Sequence, residues 1–496
     1  MAERKTNKLG ERPIFSLLLS MGIPGLLGNM TTYLYKTVDQ IYVGNFVGHN
    51  ALGGISVLNP FNNVVIALSL FITVGGAALL SVAVGSKNYD KANKLFTNVI
   101  IQAIAMALIV TVIFAAAPEF WVRLFGAKEG TEIFDYAVSY LRIIAFGQVF
   151  NLLNLGLAAI IRTEGAATYS MIANMIGAVV NVGLNTIFIV VLHLGVQGAA
   201  YGTVGSQLVG ALFSAAYFFR GKSNLKWLGF KVINVKQMFY VAKMGMAPSI
   251  FQVLSFITNI LLNKSLQHYG DLDPVYSAIG GGELCISAMA VATTIENLII
   301  STSSGINQAA APIVSFNYGA KKYQRVWKTT LASQAMAFSM AAAVYLAMQL
   351  APEQLIDIFS KNDKELMTFG LEAIRIAKIF ALFSGYQMLV SMFFSAICKP
   401  EVATLVSLSR HGIFLIPALI ILPKIYGLQG VLYANAVSDG CSLILVSILY
   451  IKEIIYFKGC EDEEIYDDRS FIKRAFDHFI GTKKMIEQEG GVHNEC

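Results

Sequence analysis

Several ionisable side chains lie inside long apolar stretches of this sequence. Lys36 and Asp39 share the first stretch, Glu296 lies in a later one, and Arg410 and Asp439 lie in the last two. A charge at the centre of a membrane helix costs about 2.5–3.5 kcal/mol on insertion scales, so such residues are commonly functional. These positions predict sites that bind or move charge.

The first stretch carries Asn29, Thr32, Lys36 and Asp39 at intervals of three and four residues, which places them on one helical face. One interpretation is a Lys36–Asp39 pair that only limits its own cost. The other is a carboxylate that exchanges cations.

Two further stretches carry Asn181, Asn185 and Thr203. Together with Asp39 they offer the carboxylate, amide and hydroxyl oxygens that a hard cation such as Na⁺ requires, whereas a proton needs only Asp39. Hydrogen bonding between helices is the alternative role for the asparagines.

Polar and charged residues, most of them in the second half of the chain, predict a substrate cavity. Its candidate residues include a polar stripe and Glu296 on one helix and the charged groups of two others, and Arg410 could instead form a structural ion pair with Asp439 or Glu296. Lys378, near the end of an apolar stretch, is expected to extend towards the membrane surface. The predicted cavity residues are Asn29, Thr32, Asn259, Asn263, Glu283, Ser287, Thr294, Glu296, Asn297, Arg410 and Asp439.

The composition identifies the environment of these residues. Of 496 residues, 55% are hydrophobic and 14% charged, and the mean hydropathy is +0.60. These values exclude a disordered chain, a collagen and a water-soluble enzyme. They predict an all-α integral membrane protein.

Twelve apolar stretches are long enough to span a bilayer. The second and eighth are long enough to tilt or break, with Pro60 and Pro312 as plausible causes. The predicted spans are 16–43, 52–84, 95–117, 136–160, 169–192, 196–219, 239–263, 281–314, 329–350, 369–397, 403–422 and 428–456.

Lysine and arginine concentrate in the N-terminal segment, in the loop near 220–238 and after residue 452. The positive-inside rule then places both termini in the cytoplasm and the chain in the cell's inner (plasma) membrane. The net charge of +6 is therefore an orientation signal, and no nucleic-acid partner is expected.

The two halves of the chain repeat each other. Residues 85–89 (GSKNY) correspond to 319–323 (GAKKY), and 195–201 (GVQGAAY) to 427–433 (GLQGVLY). Six spans separate equivalent points, so the halves share one orientation and predict a pseudo-two-fold axis along the membrane normal. The predicted domains are an N-terminal lobe (1–225), a C-terminal lobe (226–458) and a cytoplasmic tail (459–496).

Known catalytic and nucleotide motifs are missing from the sequence. It has no phosphate-binding glycine loop, no zinc spacing and no Ser-His-Asp set in a plausible context. We therefore expect no enzyme. The duplicated lobes favour a transporter, and the missing nucleotide motif favours coupling to H⁺ or Na⁺ without ATP or another cofactor. The expected partners are small amphipathic substrates and membrane lipid, and the expected state is a monomer.

The chain resembles the bacterial MATE (multidrug and toxic compound extrusion) transporters over essentially all twelve spans. The motifs that carry the resemblance are 34–44 (LYKTVDQIYVG), 75–78 (GGAA), 161–165 (IRTEG), 198–203 (GAAYGT), 308–320 (QAAAPIVSFNYGA) and 434–439 (ANAVSD).

The resemblance implies a V-shaped pair of six-helix bundles that exchanges H⁺ or Na⁺ for amphipathic, usually cationic compounds. It also implies a coupling site formed by Asp39, Asn181, Asn185 and Thr203. The sequence departs from the family pattern twice, with Lys36 in place of an asparagine and Asn185 in place of an aspartate. A lysine near Asp39 would repel Na⁺, so we hypothesise that Lys36 partly substitutes for the coupling cation and favours protons.

Two alternatives stay open. A flippase of related fold would move lipid-linked or polysaccharide precursors, although such relatives often have additional spans. A receptor or channel without transport would use the mixed tail from Glu461 to Cys496 to bind a partner, whereas a solvated or membrane-surface helix is the simpler role for that tail.

Overall fold

The computed structural model describes residues 8–221, 223–360 and 364–462, which are helical apart from short connections. Sixteen α-helices occur in these ranges: α1 (Ile14–Phe46), α2 (His49–Val57), α3 (Asn59–Gly85), α4 (Tyr89–Ala116), α5 (Pro118–Leu124), α6 (Glu132–Thr163), α7 (Ala167–Asn185), α8 (Gly195–Phe219), α9 (Val235–Leu272), α10 (Gly281–Gly319), α11 (Tyr323–Leu350), α12 (Pro352–Ser360), α13 (Lys364–Glu372), α14 (Ser384–Ala396), α15 (Pro400–Leu408) and α16 (Ile416–Gly459).

The predicted all-α membrane fold is confirmed. Within the described ranges, nine helical stretches are long and apolar enough to cross a bilayer, the last of them running from Pro400 to Gly459. Gly427, at φ +59°, interrupts that last stretch, so it supplies two of the predicted spans. Helix α8 and the interrupted segment from α13 to α14 correspond to the remaining two.

Prolines and glycines set where several helices begin or bend. The expected break in the second span occurs between α2 and α3, and Pro60 lies in the first turn of α3, where its missing N–H costs nothing. Helix α10 instead runs unbroken through Pro312. Two short helices, α5 and α12, each begin at a proline and were not predicted.

Three π-helical segments interrupt the regular helices. They comprise Thr186–Val191 after α7, Ala373–Ala377 after α13, and Ser409–Leu415 between α15 and α16. A π segment shifts the register of the side chains that follow it, and such segments are frequent at functional sites. The first directly follows Asn185, and the third contains Arg410.

The internal repeat is visible in the local backbone of both halves. Lys87 and Lys321, at equivalent sequence positions, have φ values of 58° and 55°, which are uncommon for residues other than glycine. Gly195 and Gly427, equivalent in the second repeated motif, both have φ 59°. The matched motifs therefore adopt matched turns.

The chain divides into two compact units: unit 1 consists of residues 1–249 and 315–320, and unit 2 of residues 250–314 and 321–496. Unit 1 has an apolar core around Phe61 and Leu141, and unit 2 has one around Phe369 and Val431. The sequence-derived lobes, 1–225 and 226–458, stay predictions. The tail prediction for 459–496 lies outside the described residues beyond Asp462.

Glycines allow close helix crossings inside unit 1. A methyl group on Gly75 of α3 would overlap the Val241 carbonyl of α9, and one on Gly245 would overlap the Phe71 carbonyl. Gly85 and Gly319 make a similar crossing between α3 and the end of α10. Because small residues let helix backbones approach closely, α3 packs against both the beginning of α9 and the end of α10.

The segment that joins α8 to α9 is fixed to α4 by side-chain hydrogen bonds. Buried Asn98 donates its amide to the Val232 carbonyl (3.1 Å) and to Gln237 Oε1 (2.8 Å), and accepts from the Asn234 amide (3.0 Å). Thr97 Oγ1 accepts from the Leu228 amide at 3.1 Å. The basic linker is therefore part of unit 1.

The first prediction concerns Asn98. Replacing it with leucine removes the partner of the partly buried Val232 carbonyl and Asn234 amide, and a lost hydrogen bond costs about 0.5–1.5 kcal/mol each. We expect faster tryptic cleavage at Lys226 and Lys231 and a lower melting temperature in detergent.

The matched control is Lys94→Ala, one turn earlier on α4. Lys94 forms an exposed ion pair with Asp90, which contributes about 1 kcal/mol at most. Equal cleavage rates in Asn98→Leu and Lys94→Ala would contradict the role assigned to Asn98.

Candidate functional site

A buried carboxylate and two buried asparagines meet inside unit 1. The Asn185 amide nitrogen donates to Asp39 Oδ1 at 2.6 Å and lies 3.3 Å from Asn181 Oδ1. Asp39 is 9% exposed, and both asparagines are fully buried. The structure thus brings together three of the predicted coupling residues, from helices α1 and α7.

The end of α7 and a glycine of α8 position this group. Helix α7 ends at Asn185, and in the π segment that follows, Thr186 pairs with Tyr42 of α1 at 2.8 Å. The Asn185 Oδ1 atom lies against the Cα of Gly202, so closely that a methyl group there would overlap it. Gly202 therefore leaves room for the amide oxygen, while the hydrogen bonds of the amide nitrogen orient it towards Asp39.

Thr203 is half-buried on the neighbouring turn of α8, and the phenol of Tyr140 approaches its hydroxyl. Tyr140 also lies close enough to Asp39 to interact with its charge, as does Tyr35. Neither tyrosine was predicted, because a tyrosine in an apolar span is usually a packing residue. The polar hydroxyl of each tyrosine inside an apolar span was the feature that could have identified it as a site residue.

Lys36 is not a partner of Asp39 in this structure. Its side chain is exposed, and within the described range 8–221, which contains both residues, no ion pair joins Lys36 to Asp39. The predicted self-neutralising Lys36–Asp39 pair is therefore wrong: Asp39 takes its hydrogen bond from α7, while Lys36 leaves the buried face of α1. On the same helix, Asn29 and Thr32 are half-buried, and Thr32 donates to the Gly28 carbonyl.

The donor set of this group decides what it can hold. Asp39 supplies the carboxylate of the group. Among the described residues, no three histidine, cysteine or acidic side chains cluster as a metal site. The Asn185 group that bonds to Asp39 is an amide N–H, whose positive end disfavours a cation at that position, whereas Na⁺ binds through oxygens. The arrangement suits a carboxylate that gains and loses a proton.

Four charged side chains form a second buried group, inside unit 2. Glu296 of α10 accepts from Lys378 Nζ at 2.7 Å and from Arg410 Nη2 at 2.9 Å. Arg410 also binds Asp439 of α16 through Nε (2.6 Å) and Nη2 (3.1 Å). Two cations and two carboxylates leave no formal net charge, and their mutual attraction compensates the cost of removing each charge from water.

Interrupted helices carry two members of this charged group. Lys378 directly follows the π segment Ala373–Ala377, and Arg410 lies within the π segment Ser409–Leu415. Ser384 donates to Glu296 Oε1 at 2.8 Å, and Ser438 fixes the Arg410 carbonyl at 2.6 Å. The expectation that Lys378 extends towards the membrane surface is wrong, because the break turns it inwards, where it is 5% exposed.

Most of the other residues predicted to line the substrate cavity do not lie with Glu296 in the buried charged group. Six of them lie on exposed faces of α9 and α10, whereas Glu296 is 4% exposed. Glu296 therefore belongs to the charged group, and the polar stripe faces the surroundings of unit 2. The exposed six are Asn259, Asn263, Glu283, Ser287, Thr294 and Asn297.

The second prediction concerns Arg410. Arg410→Met leaves Asp439 buried without its cation, which costs about 3–5 kcal/mol. We expect a strongly lowered free energy of unfolding, and partial recovery in the double variant Arg410→Met/Asp439→Asn. Denaturation in detergent measures both.

The control for that prediction is Arg142→Met, which removes an exposed ion pair to Glu119 and costs no more than about 1 kcal/mol. Similar losses in Arg410→Met and Arg142→Met, or no recovery in the double variant, would contradict the coupling of Arg410 to Asp439.

Comparison with known proteins identifies the family. The sequence profile of the MatE family matches residues 24–187 and 275–420, which is more than half of the chain. The multidrug export protein MepA of Staphylococcus haemolyticus is 25% identical over 447 residues, covering 89% of this chain and 94% of the relative. MepA of Staphylococcus aureus strain MSSA476 is 22% identical over 444 residues, covering 88% and 94%.

Solved structures share the fold. An outward-facing multidrug resistance MATE family transporter of the MOP superfamily superposes with a TM-score of 0.82 at 22% identity, covering 93% of this chain and 100% of that one. A MATE structure in the bent conformation gives 0.83 at 23% identity, covering 92% and 98%. With the profile match, these similarities confirm the resemblance seen in the motifs. This chain is a multi-pass membrane protein that belongs to the MatE family of transporters.

Proposed function

We propose that this protein exports amphipathic, mainly cationic drugs or toxic compounds from the cell in exchange for protons. The observation that carries the proposal is Asp39, a buried carboxylate in unit 1 whose hydrogen-bond donor is the neutral amide of Asn185. Both termini then lie in the cytoplasm, and the protein lies in the cell membrane, as the distribution of basic residues favours.

The substrate class is supported by the relatives. The two staphylococcal proteins described above are named multidrug export proteins, and this chain spans 94% of the length of each. A multidrug exporter needs a mechanism that accepts many compounds and one coupling step common to all of them. A single titrating carboxylate supplies such a step.

Proton coupling is supported by the charge and donors around Asp39. A sodium ion requires several oxygen ligands, but Asn185 presents nitrogen to Asp39 and its oxygen lies against Gly202. Burial makes an ionised carboxylate costly when the surrounding groups are neutral, so protonation relieves that cost. Release of the proton on one side and uptake on the other would then drive the exchange.

The third prediction tests the coupling ion. In proteoliposomes, we expect a pH gradient to drive ethidium transport by the native chain and a sodium gradient at equal pH to drive little. Asp39→Asn should abolish transport under both gradients, because its side chain no longer takes up a proton. Asn185→Asp places a second carboxylate beside Asp39 and should introduce sodium dependence.

Folding of each variant is controlled by its elution as a single species in detergent. Sodium-driven export by the native chain at equal pH, lost in Asn185→Ala, would contradict proton coupling. Undiminished transport by Asp39→Asn would contradict the role of Asp39 itself.

The fourth prediction concerns Gly202. A methyl group at this position overlaps Asn185 Oδ1, so Gly202→Ala should displace the amide from Asp39. We expect proton-driven ethidium transport to fall about tenfold or more, since a lost charge-assisted hydrogen bond amounts to about 1.5–3 kcal/mol.

The matched control is Gly183→Ala on α7, where a methyl group meets open space two residues before Asn185. Gly183→Ala should transport at the native rate. Native transport by Gly202→Ala as well would show that the orientation of Asn185 does not matter.

A further inference from the structure

Unit 2 contains a cavity of about 530 Å³ between helices α10, α11, α14 and α16. Ligand-binding cavities in proteins commonly measure about 300–1,000 Å³, so this one can hold a drug-sized molecule. The residues that characterise its wall are Ser303, Gln334, Phe338, Phe383, Tyr386 and Ser447.

The cavity lies where the tenth predicted span is interrupted. In unit 1 the corresponding span is the continuous helix α6, whereas in unit 2 a π segment, a turn and the short 3₁₀ helix Ala381–Phe383 precede α14. Residues of the 3₁₀ helix form part of the cavity wall. Gly385 then lets α14 approach Ser303 of α10, because a side chain there would overlap the serine hydroxyl.

The chemistry of the wall favours an uncharged ligand. Aromatic and aliphatic side chains dominate, and the residues lining this cavity include no acid and no base. The polar groups are the hydroxyls of Ser303, Tyr386 and Ser447 and the amide of Gln334. A full charge placed in this cavity would lose its hydration without gaining a counter-ion.

Gln334 adds a preference for a ligand that carries a hydrogen-bond acceptor. Its Nε2 atom is shielded from solvent and has no hydrogen-bond partner. An unpaired buried donor is costly, and a ligand that offers an oxygen acceptor removes that cost. The wall therefore favours a ring-bearing molecule with a carbonyl or ether oxygen.

The charged group of unit 2 lies next to this cavity. A smaller pocket bounded by Arg410 and Asp439 shares Phe383 and Leu443 with it. Because Arg410 is paired with Asp439 and Glu296, its charge at this end is already balanced by two carboxylates. Ligand binding here does not require a cationic substrate.

We propose that this cavity is a binding site for uncharged amphipathic ring compounds that carry an oxygen acceptor, separate from the Asp39 group. Only the idea that such compounds are transported rests on the proposed function; the binding itself does not. The proposal adds neutral molecules to the cationic compounds expected for the exporter.

The fifth prediction is a binding measurement on the full chain in lipid nanodiscs without any gradient. The probes are Nile red, a neutral ring dye with a carbonyl acceptor, and diphenylhexatriene, which has no polar atom; the signal of empty nanodiscs is subtracted. We expect saturable binding of both probes. Gln334→Leu should weaken Nile red about fivefold, the effect of one neutral hydrogen bond, and leave diphenylhexatriene unchanged or tighter.

Ala335→Phe fills the cavity from α11 and should weaken both probes about tenfold or more, a loss of 1.4 kcal/mol or more. Its matched control is Ala343→Phe, the same change at an exposed position of α11 that does not line the cavity. Asp39→Asn should bind both probes as the native chain does, so a failure of proton coupling leaves this result intact.

Binding that does not saturate, or equal binding of the probes by the native chain and Ala335→Phe, would overturn the proposal. An equal loss of both probes in Gln334→Leu would overturn the preference for an oxygen acceptor. Saturable binding sensitive to Ala335→Phe and insensitive to Ala343→Phe supports the site even if transport proves to use another ion.

Discussion

A charge buried among apolar helices must be matched, and the two units of this protein meet that constraint differently. In unit 2, Arg410 connects Asp439 to Glu296, and Lys378 completes a group of two cations and two carboxylates. In unit 1, the donor to Asp39 is a neutral amide. A matched group resists any change of protonation, whereas a carboxylate held by neutral dipoles can take up a proton at modest cost.

The difference arises on a duplicated framework. Equivalent turns keep the same backbone in both halves, down to the left-handed conformations of Lys87 and Lys321. The side chains have diverged: the position equivalent to Asp39, counted from the matching proline of each half, is Asn263, which is exposed. Duplication thus supplied two similar scaffolds, and substitution together with helix interruption gave them different chemistry.

Helix interruptions and close crossings do much of the positioning. The π segments present Arg410 and follow Asn185, because a change of helical register turns side chains that a regular helix would point elsewhere. Glycines at Gly75, Gly85 and Gly202 permit contacts that any side chain would prevent. The linker after α8 is hydrogen-bonded to Asn98 of α4, so unit 1 extends through the linker into α9.

The sequence by itself determined the all-α membrane fold and the break in the second span near Pro60. It also identified Asp39, Asn181 and Asn185 as candidate site residues. Hydropathy, proline geometry and the cost of a buried charge depend on local sequence, so a single sequence is enough to infer them. Which charged groups pair required the tertiary structure. Lys378 was expected at the membrane surface but pairs with Glu296, and one interpretation paired Lys36 with Asp39, but Asp39 takes its hydrogen bond from Asn185. Such outcomes depend on helix rotation and on breaks such as 373–383, which packing between distant segments decides. For the same reason the unpartnered donor of Gln334 and the cavity around it became visible only once four helices had been brought together.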